Sequence, residues 1–86
     1  MAKYKITIKK SAAKELEEIP KGDLRKIVKR IQSLARNPRL PGSQKLSGQE
    51  QYRVRQGDYR IVYSIDDKDL VIDIVKIGHR REIYRS

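Results

Sequence analysis

The chain has 86 residues, with 21 Lys and Arg against 11 Asp and Glu, and a formal net charge of +10. This length supports a single domain, residues 1–86, with one modest hydrophobic core. The charge predicts an anionic partner, which means nucleic acid, a membrane surface or an acidic protein. The chain has no cysteine, which excludes disulfides and thiolate zinc sites and is consistent with a reducing compartment.

The N-terminal segment predicts a β-strand and no membrane anchor. Its apolar residues are too few and too scattered for a signal peptide or a membrane span, so we expect a soluble protein of the cytoplasm. In "KYKITIK", Tyr4, Ile6 and Ile8 alternate with Lys and Thr. This period of two predicts a β-strand with one apolar face.

Two helices are expected after this strand. Ser11 is the expected N-cap of a short helix over "SAAKELEEI", which Pro20 would end. Asp23 is the expected N-cap of the second helix. The apolar residues of the second helix recur with helical spacing, which predicts about three to four turns with a basic outer face. They are Leu24, Ile27, Val28, Ile31, Leu34 and Ala35.

The second half of the chain predicts three strands. A loop rich in Pro, Gly and Ser leads to "YRVRQGDYRIVY", residues 52–63, which alternates on either side of a turn and indicates a hairpin. "LVIDIVKIG" is apolar on nearly both faces, which is typical of a central strand. The order β-α-α-β-β-β predicts an α+β fold. We expect an antiparallel sheet of about four strands, mixed at the N-terminal strand, with the two-helix hairpin packed on one face.

The position of the hairpin turn decides which face carries the arginines. A three-residue loop, 56–58, would put Arg60 on the apolar face, where an unpaired guanidinium costs several kcal/mol. A two-residue turn at Gln56–Gly57 avoids this cost and would place Arg53 directly opposite Arg60. We therefore predict that three guanidinium groups are exposed together on the free face of the sheet: those of Arg53, Arg55 and Arg60.

This basic face has two interpretations. It is either an ordinary solvated strand face or a site where a phosphate bridges the guanidinium groups. The C-terminal segment "KIGHRREIYR" adds His79, Arg80, Arg81, Tyr84 and Arg85. Because Arg binds phosphate and Tyr can stack on a base, the combination favours a site for single-stranded RNA.

The chain resembles the RelE toxins of the RelE/ParE superfamily. "YRVRQGDYRIVY" and "GHRREIY" carry the most specific part of the resemblance, which extends over essentially the whole chain. The resemblance implies a microbial-RNase-like fold with two N-terminal helices. It also implies the toxin of a type II toxin–antitoxin system: an endoribonuclease that cleaves mRNA in the ribosomal A site, with no metal and no other cofactor.

In this family the ribose 2′-hydroxyl attacks the adjacent phosphate. The resemblance assigns the catalytic residues of the hairpin to Arg53, Arg55 and Arg60, and those of the tail to Arg80 and Tyr84. Arg60 and Arg80 would stabilise the charge of the phosphorane, and Tyr84 would orient a nucleotide. Further RNA contacts are expected from Lys45, Arg81 and Arg85. The implied partners are the ribosome, its mRNA and an acidic RelB-like antitoxin, and no membrane.

One departure from the family concerns proton transfer. The best-known members carry lysines where this chain has Arg53 and Arg55, and one of those lysines is a candidate general base. Arginine, with a pKa above about 12, is a poor base near neutral pH. Imidazole titrates near pH 6.5, so we hypothesise that His79 acts as general acid or base, the alternative being that it only packs at the strand end.

Three other functions are compatible with the sequence. A ParE-like gyrase inhibitor would share the fold without ribonuclease activity. A non-catalytic nucleic-acid-binding module would also explain the net charge, since charge alone gives binding that is independent of sequence. A degenerate toxin would keep only its contact with the antitoxin.

Overall fold

The computed structural model describes residues 3–39, 43–45 and 51–79. The elements in chain order are β1 Lys5–Ile8, α1 Lys10–Glu17, α2 Lys21–Arg36, β2 Gln44–Lys45, β3 Gln51–Gln56, β4 Tyr59–Asp66 and β5 Val71–His79. The strands form one sheet in the order β1-β5-β4-β3-β2. β1 is parallel to β5, and all other neighbours are antiparallel. The predicted α+β class, the mixed sheet and the interior position of β5 are confirmed, and β2 is an additional short strand.

The hydrophobic core lies between the helices and one face of the sheet. Its fully buried large side chains are Ile27, Leu34, Ile61, Tyr63, Ile72, Ile74 and Ile77. Each contributes about 1.5–3 kcal/mol by leaving water. Val28, predicted to face the core, is instead 39% exposed, because the buried stripe of α2 runs through Ile27, Ile31 and Leu34 and leaves Val28 at its edge. Both helices pack on this face, here called the helix side, and neither covers the opposite face, here called the free face.

Both helices begin earlier than predicted. α1 begins at Lys10, and no side chain caps it, so Ser11 lies inside the helix. The sheet explains this start, because the Lys9 amide donates to the Ile74 carbonyl at 2.9 Å and holds the chain extended up to that residue. α2 begins directly after Pro20, which leaves Asp23 in the first turn, where its charge is favourable. No helix in the described part of the chain is long and apolar enough to cross a membrane.

A polar cluster joins three segments that are distant in sequence. The buried Tyr63 hydroxyl donates to the Pro38 carbonyl at 2.6 Å, just after α2. Arg39 forms an ion pair with Asp67 at 2.9 Å, and the Tyr4 hydroxyl donates to the same carboxylate at 2.7 Å. These hydrogen bonds, first that from Arg39 and then that from Tyr4, lower the pKa of the Asp67 carboxyl. The cluster therefore ties the end of α2 to the start of β1 and to the β4–β5 turn.

The β3–β4 turn consists of Gly57 and Asp58, one position later than the predicted Gln56–Gly57 turn. Gly57 has φ of +59°, whereas Asp58 has a negative φ. Positive φ at the first central residue alone is the pattern of a type II′ turn, which requires glycine at that position. The prediction placed the same glycine second, and the pairing of the two strands is displaced accordingly.

Two alanine substitutions test this turn, because the Cβ added at Gly57 or at Gly22 meets no atom within 4 Å. We expect Gly57→Ala to lower the free energy of unfolding by about 1 kcal/mol, since alanine is strained at positive φ. Gly22→Ala, in the first turn of α2, is the matched control and should raise it by about 0.5 kcal/mol. Urea denaturation followed by circular dichroism measures both, and equal effects of the two substitutions would contradict the turn assignment.

Candidate nucleic-acid interface

The three hairpin arginines share the free face of the sheet. Arg55 lies opposite Arg60, and Arg53 lies opposite Val62. The predicted pairing of Arg53 with Arg60 is therefore wrong. The predicted shared face is confirmed, because moving a two-residue turn by one position shifts the pairing by two residues and leaves the faces unchanged.

The three arginines differ in exposure. Arg55 is exposed and Arg53 is partly buried, but Arg60 is only 3% exposed. The expectation of three exposed guanidinium groups is thus wrong for Arg60, which lies on an interior strand with β3 and β5 on either side. Arg53 is oriented by β2, since its Nη2 donates to Gln44 Oε1 at 2.6 Å. The free face therefore combines the buried guanidinium of Arg60 with the exposed guanidinium of Arg55, directly opposite it on the hairpin.

A β-bulge in β5 decides which of its side chains join the arginines. Tyr63 pairs with Ile74, but Val62 pairs with Lys76, so Val75 is an extra residue between the two pairs. The extra residue reverses the alternation of side chains along the strand. Lys76 consequently lies on the free face, next to the arginines. Sequence inspection missed Lys76, although the spacing of the apolar residues from Ile74 to Ile77 signals the change of face.

The same bulge turns His79 to the helix side. His79 pairs with Tyr59, and the two rings meet edge to face with centroids 5.5 Å apart. A cavity of about 160 Å³ beside the imidazole is lined by two carboxylates, that of Glu15 in α1 and that of Glu18 directly after it. Glu15 Oε1 also accepts a hydrogen bond from the Ile77 amide at 3.2 Å. The structure does not bring His79 together with the arginines, and this geometry favours the packing role that was the alternative to catalysis.

The other predicted site residues are distributed as follows. Lys45 lies on the edge strand β2 opposite Tyr52, which places it on the helix side of the sheet and not beside the arginines. Four residues of the predicted site lie outside the described residues: Arg80, Arg81, Tyr84 and Arg85. Within residues 3–39, 43–45 and 51–79, no group of three or more His, Cys, Asp or Glu side chains is arranged to bind a metal ion.

Charge is segregated along the free face. Its carboxylates lie at the end remote from the hairpin turn, where Asp73 pairs with Ser64 and Asp66 pairs with Val71. Asp73 is already neutralised, because Lys9 Nζ lies 3.2 Å from it and the Thr7 hydroxyl donates to it at 3.0 Å. The three arginines and Lys76 lie towards the hairpin end, whereas Lys5 lies at the carboxylate end. The arrangement defines a small basic α+β protein whose free face, which neither helix covers, is suited to binding an anion.

Comparison with known proteins assigns the family. The model of the ParE toxin of the type II toxin–antitoxin system, parDE, matches residues 6–84. Toxin RelE of Mycobacterium tuberculosis is 32% identical over 84 residues, which cover 95% of this chain and 87% of that protein. The chain belongs to the RelE/ParE superfamily and is a RelE-like toxin of a type II toxin–antitoxin system.

Solved structures agree with this assignment. A chain of the archaeal RelE–RelB complex from Pyrococcus horikoshii superposes with a TM-score of 0.77 and 33% identity, covering 93% of this chain and 97% of that chain. A chain of the toxin–antitoxin complex RelBE2 from M. tuberculosis superposes with a TM-score of 0.80 and 27% identity, covering 91% and 99%. The predicted RelE fold is confirmed.

Two substitutions of His79 separate packing from proton transfer. We expect His79→Phe to retain the edge contact with Tyr59. If the chain has the ribonuclease activity that the family resemblance implies, this substitution should leave the single-turnover rate of mRNA cleavage on programmed ribosomes within about tenfold of the wild-type rate. His79→Gln, which can hydrogen-bond but cannot transfer a proton, should behave similarly. Loss of a general acid or base instead costs about 10²- to 10⁴-fold. A loss of that size in both variants, with unchanged thermal unfolding, would assign His79 to catalysis.

Proposed function

We propose that this toxin is a ribosome-dependent endoribonuclease that cleaves mRNA in the A site and thereby inhibits translation. The observation that carries the proposal is the cross-strand pair of Arg55 and Arg60 on the free face, with Arg53 beside it. Like charges directly opposite each other destabilise a sheet, and a bound phosphate relieves that repulsion. A phosphodiester of mRNA is the anion that the RelE-like family membership suggests.

The reaction is an in-line displacement at phosphorus. The ribose 2′-oxygen bonds to the adjacent phosphorus and loses its proton, while the bond from phosphorus to the 5′-oxygen breaks and that oxygen gains a proton. The products are a 2′,3′-cyclic phosphate and a 5′-hydroxyl. Negative charge increases on the phosphorane oxygens in the transition state. A fixed, water-shielded guanidinium such as that of Arg60 stabilises such charge most effectively, because it needs no reorganisation.

The remaining roles follow the family. Arg53 would hold the backbone of the mRNA, Arg55 and Arg80 would share the phosphorane charge with Arg60, and Tyr84 would orient a nucleotide. With His79 on the helix side, most of the rate is assigned to alignment of the 2′-oxygen and to electrostatic stabilisation. No metal or other cofactor is included in this scheme, as the family resemblance implies.

A second basic surface supports action on the ribosome. An open groove of about 820 Å³ on the helix side is lined by five cationic residues, and by no carboxylate of the described part of the chain. The five are Lys3, Lys26, Lys29, Arg30 and Arg36. Arg30 Nε donates to Gln56 Oε1 at 3.2 Å, which joins the groove to the end of the hairpin. Basic surfaces on both sides of the sheet fit a protein that contacts RNA on two sides within the ribosome. A protein that bound only free RNA would need one basic surface.

The double substitution Lys26→Gln and Lys29→Gln tests this second surface. We expect weaker association with programmed ribosomes, by about tenfold at low salt, and a smaller salt dependence, because fewer phosphates are neutralised. Cleavage at saturating toxin should be unchanged, since the arginine face is intact. Lys10→Gln and Lys14→Gln on α1 form the control of equal charge. An equal loss in both pairs would indicate that net charge alone is responsible.

We further propose an acidic RelB-like antitoxin as the partner that neutralises the toxin in the cytoplasm. The similar Pyrococcus horikoshii structure is itself a RelE–RelB complex. A formal net charge of +10 is complementary to an acidic segment laid across either basic surface. A short acidic reading frame next to the gene would agree with this partner.

The decisive experiment is primer extension on translated mRNA after induction of the toxin. We expect cuts within A-site codons, and a loss of about 10²- to 10³-fold in single-turnover rate for Arg55→Ala, as for removal of one electrostatic contact to the transition state. Arg55 is exposed and lies opposite another arginine, so its removal should not lower the temperature of thermal unfolding. Arg25→Ala, an exposed arginine on α2, is the matched control and should retain cleavage.

The family model carries the name of ParE, so gyrase inhibition is the second candidate function. Altered DNA supercoiling after induction, without A-site cuts, would replace the ribonuclease proposal with that one. A non-catalytic binding module would be indicated if Arg55→Ala and Arg25→Ala weakened RNA binding equally and no cleavage occurred. The short α1 of eight residues agrees better with the RelE-like alternative than with the longer helices typical of ParE proteins.

A further inference from the structure

We propose that Lys76 is a further residue of the RNA site, contacting a backbone phosphate on the β5 side of the arginines. This inference rests on the proposed function, because it extends the same face by one strand. Lys76 is exposed and forms no ion pair within residues 3–39, 43–45 and 51–79. The carboxylate on the same strand and face, Asp73, already pairs with Lys9.

Lys76 completes a row of side chains that crosses the sheet. Arg53 on β3 pairs with Val62 on β4, and Val62 pairs with Lys76 on β5. Neighbouring strands lie about 4.8 Å apart, so the row places two cations roughly 9.5 Å apart on either side of Val62. Arg60 lies two residues before Val62 on the same strand and face. A nucleic-acid strand that crosses β3, β4 and β5 would therefore meet a cation on each of the three strands.

The bulge at Val75 places Lys76 in this row. Without the extra residue, strict alternation from Ile72 and Ile74 would direct Lys76 to the helix side and Ile77 to the free face. The observed Ile77 is 1% exposed and belongs to the core. Bulges occur preferentially near active sites, where they redirect a side chain. Here one local irregularity both preserves the core and adds a cation to the free face.

Charge repulsion indicates that Lys76 serves a ligand. A lone solvated lysine on a strand needs no explanation, but Lys76 joins a face that already carries three arginines. Each added like charge on neighbouring strands destabilises the unliganded sheet. A polyanion lying across the row converts that repulsion into attraction and releases counterions. The ligand class is the phosphate backbone of single-stranded RNA, which supplies evenly spaced charges along an extended path.

Lys76→Gln tests the contact against a lysine on the same face. Lys5→Gln is the matched control, because Lys5 on β1 pairs with Val71 on the free face. Val71 lies roughly 16 Å from Lys76 along β5, at the carboxylate end of the face. The binding probe is a 5′-labelled single-stranded RNA oligonucleotide, titrated between low and moderate salt. We expect Lys76→Gln to lower the slope of log K against log salt by about 0.7, the contribution of one phosphate contact on a single strand. Lys5→Gln should leave the slope unchanged, and Lys76→Arg should restore it.

Cleavage on programmed ribosomes gives the second readout. We expect Lys76→Gln to raise the toxin concentration at half-maximal rate about tenfold, with the maximal single-turnover rate nearly unchanged, as for loss of uniform binding. Equal effects of Lys5→Gln, or a wild-type salt slope in Lys76→Gln, would overturn the inference. If the wild-type toxin cleaves no mRNA, the proposed function fails, and the salt slope alone then decides whether Lys76 contacts phosphate.

Discussion

The alternation of side chains along β4 and β5 determines which groups can act together on this sheet. A change of one residue in a strand's alignment moves every later side chain to the opposite face. Two local features set the alignment: the two-residue turn at Gly57–Asp58 and the bulge at Val75. The turn keeps the hairpin arginines away from the helices, and the bulge sends Lys76 to their side and His79 to the other. The distribution of cations on the free face follows from these two features.

The composition of the hairpin face could be predicted from sequence, but its register and exposure could not. Period-two patterning excludes the three-residue loop, because that loop would put Arg60 on the apolar face with Tyr52 and Val54, and this is sufficient to assign the face. The two possible two-residue turns differ only in whether Gly57 comes first or second, and both bury the same apolar residues. The exposure of Arg60 depends on the strands on each side of it, and the order of strands in the sheet is a tertiary property that the local pattern does not contain.

The spacing of the apolar residues in β5 indicates the bulge. Buried apolar residues recur with a spacing of two at Ile72 and Ile74 and then with a spacing of three at Ile77. A strand of uniform alternation cannot bury all three, so an extra residue is required between Ile74 and Ile77. The residues at which the helices begin were harder to predict from sequence. Ser11 has the right chemistry for a cap, but the hydrogen bond between Lys9 and Ile74, remote in sequence, fixes where β1 ends and α1 begins.

The two basic surfaces lie on opposite sides of a sheet that is one layer thick. The groove on the helix side and the arginines on the free face meet at the hairpin, where Gln56 bonds to Arg30 and the next residue towards the N-terminus, Arg55, faces the other way. A polyanion bound to one surface therefore lowers the repulsion felt by the other through a path of only a few residues. RNA and an acidic antitoxin segment are both polyanions that could lower this repulsion. In the proposed function, an antitoxin segment covering either surface would weaken the attraction of the toxin for RNA, because it neutralises part of the positive charge, even where it leaves the arginine pair itself uncovered.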